Sequence, residues 1–354
     1  MHLVDALGGT DRFWGKESVV AMLMREQRAS GAIDPILVTF GPCRLGATLV
    51  GEGFRVHQLA GEPSRGAGPR VLGALARVLR SELPSVVHSH GYRANIVARI
   101  ARCLGRAPGV RLVSTCHGWV DTTPALRSYN AIDRWTAMLS DVTTVPDPRM
   151  LAAFPALGRR AHVPNGVPDE PQICASDGPL QRAGTFVAGT LGRVSEAKGI
   201  LDVLGAATSF PDPDVVFAVA GEGELAPRVR DAGGNVRYLG FFDRPERFLS
   251  TLDVYVQASH SEGLSLALLE AMRAGKAIVA TDVGATRDAV VHGESALLVP
   301  PRNVPALREA VHVLRTDAAL RERLGRNARA RFEAAFRIGR QHEAYLELYG
   351  TGKK

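Results

Sequence analysis

The chain has no long apolar run and no cysteine pattern of the kind that marks membrane, metal-binding or disulfide-rich proteins. None of its 354 residues belongs to a stretch of about 18 apolar residues, the length that a membrane span requires. Residues 1–5 show no charged region followed by a long apolar one, so we expect no signal peptide. The four cysteines lack Cys-x-x-Cys spacing, which favours free thiols in a reducing cytoplasm; they are Cys43, Cys103, Cys116 and Cys174.

Aromatic residues are scarce as well, at 6%, although 45% of the chain is hydrophobic. That balance is ordinary for a soluble α/β protein. A chain of this length exceeds one typical hydrophobic core and fits two domains. Strand and helix signals alternate through the first half, stop in a Pro-rich aperiodic segment at 169–184, and resume at 186. The sequence thus predicts two doubly wound parallel-sheet domains with a cleft between them.

The net charge of +7 is unevenly distributed along the chain. Residues 1–167 carry a net charge of +8 and the remainder carries −1. A basic first half would attract anionic lipid head groups, at about 1 kcal/mol for each basic residue at the surface. The excess is nearly all arginine, and an arginine-rich surface without a partner explains it equally well. Nucleic acid finds no support, because no helix-turn-helix, zinc or RNA-binding signature is present.

The most informative stretch is 261–275, which places Glu262 in a glycine loop and Glu270 in the helix predicted to follow. Apolar segments at 253–256 and 276–281 flank it, so the pattern predicts a βαβ unit. Loop amides at Gly263, Leu264 and Ser265 would face a phosphate group, as helix N-termini in open sheets do. Carboxylates repel pyrophosphate, which leaves neutral hydroxyls as their partners: a hexose for Glu262 and a ribose diol for Glu270. Alternatively, both are solvated surface charges.

A second glycine-framed loop, 192–199, follows the predicted strand that ends at 191. It carries Arg193 and Lys198, two cations that suit a pyrophosphate: arginine binds it bidentately and lysine acts as a point charge. The loop lacks the Walker spacing, so it is not a P-loop. Gly221 follows the next strand and would allow the backbone to approach a nucleoside closely. An exposed loop and a plain turn are the structural alternatives.

From Glu262 through Thr281 the sequence resembles the donor-site signature of glycosyltransferase family 4, the glycosyl transferases group 1. These enzymes are retaining, use nucleotide sugars and have the GT-B fold of two Rossmann-like domains facing across a cleft. The resemblance is specific in the second half of the chain and looser in the first. It implies an acceptor-side domain at 1–167, a donor-binding domain at 168–334, and a terminal helix at 335–354 that crosses back to the first domain.

The resemblance also implies roles for individual residues. Arg193 and Lys198 match the family pair that stabilises the departing nucleotide in place of a metal ion. His117 matches a first-domain histidine beside the donor sugar, although a lone histidine is more often structural. The segment containing Phe242 resembles the one whose backbone reads the base. The implied reaction transfers a hexose from a UDP- or GDP-sugar to a hydroxyl of a glycan or lipid-linked acceptor, without a cofactor.

The first loop departs from the family pattern. Its double glycine, Gly8 and Gly9, comes early, and Lys16 stands near the start of the first helix. Either part could approach the donor phosphate or the acceptor. His90 follows a strand and is a further acceptor-side candidate. We expect no metal, because no carboxylate or cysteine completes a ligand set with the first-half histidines, and Asp-Pro-Asp at 212–214 precedes a strand and reads as a turn.

Two other functions fit parts of the pattern. A nucleotide-sugar epimerase on the same architecture would alter the sugar without any acceptor. A non-catalytic scaffold of a polysaccharide assembly complex would bind partners and would not require the Arg193–Lys198 pair. The favoured interpretation is a retaining glycosyltransferase of bacterial surface polysaccharide or glycolipid assembly, in contact with the cytoplasmic face of the anionic inner membrane.

Overall fold

The structure is a computed structural model that describes residues 1–5, 15–59, 68–107, 109–118, 123–169, 180, 184–210, 212, 214–242 and 244–350. It divides into two compact units. Unit 1 comprises 1–166 together with 338–354, and unit 2 comprises 167–337. The sequence predicted divisions at 167 and 335. Among the described residues, no helix is both long and apolar enough to cross a lipid bilayer.

Unit 1 is a seven-stranded parallel sheet with helices around it. The strand order is β3-β2-β1-β4-β5-β6-β7. The strands are β1 (His2–Val4), β2 (Ile36–Thr39), β3 (Arg55–Gln58), β4 (Val86–His90), β5 (Arg111–Thr115), β6 (Val142–Val145) and β7 (Arg160–His162). The helices are α1 (Gly15–Ala29), α2 (Arg44–Gly51), α3 (Pro69–Glu82), α4 (Tyr92–Cys103), α5 (Pro124–Thr136) and, from the chain end, α13 (Ile338–Tyr349).

Unit 2 is a six-stranded parallel sheet in the order β10-β9-β8-β11-β12-β13. The strands are β8 (Phe186–Leu191), β9 (Val215–Ala220), β10 (Val236–Gly240), β11 (Val254–Gln257), β12 (Ala277–Thr281) and β13 (Leu297–Val299). The helices are α6 (Ile200–Thr208), α7 (Ala226–Arg230), α8 (Pro245–Ser250), α9 (Leu266–Arg273), α10 (Thr286–Ala289), α11 (Val304–Thr316) and α12 (Ala318–Ala335).

The strands of unit 2 are apolar on both faces, as parallel strands covered by helices must be. Every residue of β9 except Val216 is fully buried, and β12 is buried throughout. In both sheets the strand order reverses beside the first strand, so β1 and β4 in unit 1 and β8 and β11 in unit 2 form the switch point. Ligands of open α/β sheets bind at the carboxyl ends of such strands.

The predicted terminal helix at 335–354 is shorter in the structure. Helix α12 ends at Ala335, and Arg337 then forms an isolated parallel bridge with Val167. Val167 also donates its backbone N–H to the carbonyl of Phe336 at 3.0 Å. Helix α13 begins only at Ile338 and buries its aromatic side chains in unit 1.

Candidate functional site

A pocket lies at the carboxyl ends of β8, β9 and β11, the switch point of the unit 2 sheet. Its position is the one at which doubly wound sheets hold nucleotides. The lining includes two cations and several hydroxyl and amide side chains. The residues are Thr190, Leu191, Gly192, Arg193, Lys198, Ile200, Ala220, Tyr255, Gln257, Ser259 and Ser265.

The loop 192–199, here the cation loop, is fixed by backbone hydrogen bonds to both neighbouring loops. Val194 N–H donates to the carbonyl of Glu222 at 2.8 Å. On the other side, His260 N–H donates to the carbonyl of Ala197 at 2.9 Å, and the His260 ring lies 2.8 Å from an Asp202 carboxylate oxygen on α6. The cation loop is therefore held in place without any ligand. His260 and Asp202 were not identified from the sequence.

At Gly221 the loop that follows β9 contacts the cation loop. The φ of Gly221 is +131°, and a Cβ at this position would lie 1.7 Å from the carbonyl oxygen of Gly192. Its N–H also donates to the carbonyl of Gly240 at 2.6 Å. Only a glycine permits both the conformation and the contact. The predicted close backbone approach at Gly221 is made to the cation loop itself.

Lys198 and Glu262 form an ion pair at the pocket. The Lys198 ammonium donates to a Glu262 carboxylate oxygen, which also accepts a hydrogen bond from the Ser259 hydroxyl at 3.0 Å. The lysine side chain is 33% exposed and the glutamate 11%. Arg193 lines the same pocket and is exposed to solvent. From the sequence, Lys198 was expected to bind phosphate and Glu262 to bind a sugar, in separate loops. In the structure these two side chains contact each other.

Tyr255 lies near both Glu262 and Glu270, and it was not identified from the sequence. The side chain is 1% exposed, and its pKa is raised well above the ordinary value. Burial is the main cause, followed by the negative charges of Glu262 and Glu270, while a hydrogen bond with Ser265 acts in the opposite direction. Both carboxylates therefore lie within electrostatic range of one phenol that lines the pocket.

Helix α9 begins at Leu266, directly after the loop that carries Glu262. The Ser265 hydroxyl accepts a hydrogen bond from Leu268 N–H at 3.4 Å and caps the helix. Leu264 and Ser265 are buried, whereas Gly263 and Glu270 are half-buried. Ser265 contributes to the pocket lining.

Phe242 lies just beyond β10, in the segment expected to read a base. Its ring packs against that of Phe248, with the ring centroids 5.7 Å apart. The 2.6 Å bond between Gly221 N–H and the Gly240 carbonyl joins this segment to the Gly221 loop. The segment therefore borders the loops around the pocket.

In unit 1, the candidate histidines meet at the carboxyl ends of β4 and β5. His117 is half-buried, and its Nε2 lies 3.2 Å from Nδ1 of His90. His90 itself is 1% exposed, and its Nε2 is bonded to His2 at 2.9 Å. His90 was expected on the acceptor side. In the structure both of its ring nitrogens are already hydrogen-bonded to other histidines, so a direct contact with an acceptor is not favoured. Gly8 and Gly9 lie outside the described residues.

Three of these histidines could be read as a metal site, since ring nitrogens of His2, His88 and His90 lie within 4.8 Å of one another. All six of their ring nitrogens already have hydrogen-bond partners. Those of His88 bond to Tyr349 and Thr115, each at 2.6 Å. Those of His2 bond to His90 and Gln27. A cation would have to displace these bonds, so the cluster fits a buried hydrogen-bond network better. Asp214 donates its backbone N–H to the Asp212 carboxylate at 2.9 Å, a contact typical of the turn that the sequence predicts.

Two family models match the chain, one in each unit. The model described as "Glycosyl transferase 4-like domain" matches residues 15–166, and the one described as "Glycosyl transferases group 1" matches residues 178–331. Together they span most of both units. The resemblance that the Glu262–Thr281 motif indicated is confirmed.

Similar proteins are glycosyltransferases. The glycogen synthase of Mycobacterium tuberculosis is 26% identical over 354 residues, covering 92% of this chain and 80% of that protein. The phosphatidyl-myo-inositol mannosyltransferase of Mycolicibacterium smegmatis is 30% identical over 252 residues, covering 67% and 63%. Anabaena HepE in complex with UDP is similar in structure, with a TM-score of 0.81 at 18% identity and 99% coverage of both chains. This likeness shows the fold, and the predicted GT-B architecture of two parallel-sheet α/β domains is confirmed.

The contact at Gly221 predicts that alanine destabilises the protein at this position and not at Gly263. Gly221→Ala should lower the free energy of unfolding by at least about 2 kcal/mol, because the backbone of the cation loop must move away from the new methyl group. Gly263→Ala is the matched control, since nothing lies within 4 Å of its Cβ position, and it should stay within about 0.5 kcal/mol of wild type. Urea unfolding measures both, and equal effects would contradict the described contact.

The histidine cluster predicts that unit 1 loses stability in mild acid. Burial lowers the pKa of His2 and of His117 to about 3, against about 6.5 in an unfolded chain. Between these values the unfolded state binds the protons, so stability falls as pH decreases from 6.5 toward 3. Each such histidine lowers the free energy of unfolding by up to about 1.4 kcal/mol for each pH unit of acidification.

Urea unfolding at pH 7.5, 6.5 and 5.5 measures this loss. Ile132→Ala alters an exposed apolar residue on α5 and removes no titratable group, so it should leave the slope unchanged. A wild-type stability that does not change across this range would contradict the burial of uncharged histidines.

Proposed function

We propose that this chain, which belongs to the group 1 glycosyltransferase family, transfers a hexose from a UDP- or GDP-linked donor to a hydroxyl acceptor. The observation that carries the proposal is the Lys198–Glu262 pair at the switch-point pocket, with Arg193 on the same wall. A nucleotide sugar presents a diphosphate next to a ring of hydroxyls. Cations suit the diphosphate and a carboxylate suits the hydroxyls, so a site that holds both side by side matches a nucleotide sugar.

The proposed donor orientation follows from the order of the loops. The diphosphate would lie on the cation loop and the N-terminal amides of α9, with Arg193 and Lys198 on its charges. The hexose would bind Glu262, and the ribose diol would bind Glu270. The base would lie by the Gly221 loop and the backbone near Phe242. Uracil is the first choice of base, because HepE, similar in fold, was solved with UDP and with UDP-glucose.

In the structure the two key charges are paired with each other. On donor binding, Lys198 would exchange Glu262 for phosphate, and Glu262 would turn to the sugar hydroxyls. Each charge would thus keep a partner, which avoids leaving an unpaired half-buried charge.

The reaction we propose is a front-face substitution with retained configuration. The acceptor oxygen bonds to C1 of the hexose on the face from which the nucleoside diphosphate leaves. The C1–O bond to the phosphate breaks, and the departing phosphate oxygen takes the proton of the acceptor hydroxyl. Arg193, Lys198 and the loop amides stabilise the charge that develops on the phosphate, a role that metal ions fill in other transferases. Activity should therefore survive EDTA.

Unit 1 is proposed to hold the acceptor, and His117 is proposed to hydrogen-bond the hexose. The relatives include a glycogen synthase and a phosphatidyl-myo-inositol mannosyltransferase, which act on a glycan and a lipid-linked acceptor respectively by their names. An acceptor of one of these classes, in surface polysaccharide or glycolipid assembly on the cytoplasmic face of the membrane, is proposed here. An epimerase would instead release an altered nucleotide sugar without any acceptor, and a scaffold would release nothing.

Lys198→Gln should lower turnover by about 100- to 1,000-fold, which corresponds to about 2.7–4 kcal/mol of lost transition-state stabilisation. The neutral amide can still hydrogen-bond but no longer balances the charge on the leaving phosphate. Release of labelled nucleoside diphosphate and appearance of labelled glycoside in a membrane extract measure the effect, with EDTA in parallel.

Arg228→Gln is the control, because Arg228 is an exposed cation of the same unit on α7. It should transfer at the wild-type rate. A Lys198→Gln variant that does so too would remove Lys198 from the reaction. An altered nucleotide sugar without transferred product would support the epimerase instead.

A face of unit 1 supports contact with a membrane. Ile132 and Trp135 lie three residues apart on α5 and are exposed, Trp135 to 67%. Met138 follows them and Leu157 is exposed beside it, since the backbone of Met138 lies 3.1 Å from the Cβ position of Gly158. These four residues are here called the apolar face. Exposed large apolar groups in the half of the chain that carries the basic excess fit an anionic lipid surface.

Sedimentation with vesicles of phosphatidylglycerol and phosphatidylcholine tests the apolar face. The wild-type protein should bind, and Trp135→Asp combined with Ile132→Asp should lower the bound fraction at least about tenfold, since a charge replaces each inserted side chain. Val291→Asp, which alters an exposed apolar residue of unit 2, should have no effect. Wild-type protein that stays in the supernatant at low salt would refute the membrane contact.

A further inference from the structure

A column of buried polar side chains runs from His117 into the interior of unit 1. Nε2 of His117 lies 3.2 Å from Nδ1 of His90. Nε2 of His90 lies 2.9 Å from Nδ1 of His2, and Nε2 of His2 lies 2.7 Å from the amide oxygen of Gln27. His90, His2 and Gln27 are all at most 2% exposed. Each member thus contacts the next through a single hydrogen bond, end to end.

This arrangement fixes the position of every ring proton. A neutral imidazole has one N–H donor and one acceptor nitrogen. The Gln27 oxygen can only accept, so Nε2 of His2 carries the proton and Nδ1 of His2 accepts. His90 must then donate from Nε2 and accept at Nδ1, which requires His117 to donate from its own Nε2. Nδ1 of His117 is left with a free lone pair.

The histidines remain neutral, so the tautomer is the property that can vary. Burial lowers the pKa of His2 and of His117 to about 3, with the Lys16 ammonium contributing at His117. Burial and the neighbouring histidines hold the pKa of His90 well below its ordinary value. A buried network that is fully satisfied favours a single arrangement, because reversing it would leave a buried group without a partner.

Gln27 is itself held in place. Its amide nitrogen donates to the Tyr349 hydroxyl of α13 at 3.4 Å, and that hydroxyl lies 2.6 Å from Nδ1 of His88. The amide oxygen therefore faces His2 while the amide nitrogen faces the terminal helix. At the other end of the column, no hydrogen bond to Nδ1 of His117 occurs among the described residues. The lone pair set by Gln27 is available to a ligand.

We propose that Gln27, His2 and His90 are positioning residues that hold His117 in the tautomer whose Nδ1 accepts a hydrogen bond from a donor-sugar hydroxyl. The inference rests on the proposed hexosyl transfer. It deepens that proposal, since a fixed acceptor selects a sugar that presents a hydroxyl at this point and disfavours one that lacks it. Three residues that touch no substrate would thereby determine what His117 recognises.

The first test is the nitrogen NMR spectrum of the whole chain labelled with ¹⁵N-histidine, with the His117 signals assigned by their loss in His117→Gln. We expect the Nε2–H tautomer at His117, His90 and His2 in the wild-type protein. The Nδ1–H tautomer at His117 would overturn the proposal, and apart from the His117→Gln variant used for assignment this result needs no variant of the column. It also needs no active enzyme, so a failure of the proposed function leaves it readable.

The second test breaks the column at its fixed end. Gln27→Met keeps the length of the side chain but removes the acceptor, so both tautomers of His117 should become populated. In transfer assays, kcat/KM for the donor should fall about tenfold, the loss of roughly one hydrogen bond. Thr144→Val is the matched control, since it removes a buried hydroxyl of the same core that bonds Thr115 at 2.6 Å and lies outside the column.

The two readouts separate the possible failures. Thr144→Val should change neither the His117 tautomer nor kcat/KM. An unchanged tautomer in a folded Gln27→Met variant would overturn the control by Gln27. The expected tautomers together with full turnover in His117→Gln would overturn the sugar contact at Nδ1. The expected tautomers with no transfer to any acceptor would instead count against the proposed function.

Discussion

The close approach of loops at the carboxyl edge of the unit 2 sheet is the constraint on which the donor site depends. Gly221 meets the carbonyl of Gly192, and Gly284 meets the carbonyl of Glu262, each with a Cβ position 1.7 Å away. No other residue type fits at either point. The first contact fixes the cation loop, and the second fixes the loop that carries Glu262. The charged side chains therefore project from backbones that are already in place, which is the condition for preorganised electrostatics.

The two units solve different problems with buried polar groups. Unit 2 places a few charges at the edge of a largely apolar core and pairs Lys198 with Glu262. Unit 1 instead builds an uncharged network of histidine, tyrosine and threonine beneath His117. Charges suit the diphosphate of the donor, whereas a directional, neutral acceptor suits discrimination among sugar hydroxyls.

The sequence was sufficient for the fold class and for the placement of two loops at one edge of a sheet. Arg193, Lys198 and Glu262 lie in loops that follow strands, and Glu270 lies in the next helix, so their approach at one edge could be predicted from the alternation of strands and helices. Tyr255 and the His260–Asp202 pair could not, because nothing local distinguishes a pocket tyrosine from a core one. The histidine column depends on strand order: β1 pairs with β4 so that His2 lies opposite His88 and Val4 opposite His90. Sequence positions 2, 27, 90 and 117 meet only through that topology.

We propose that unit 2 binds a nucleoside diphosphate through its own cations and amides. Isothermal titration of the purified chain with UDP, GDP and uridine, in buffer containing EDTA, measures this binding. We expect one saturable site per chain, a preference for one base, and binding that is lost when the diphosphate is removed. Absence of binding by either nucleotide, or binding that appears only when magnesium is added, would contradict it.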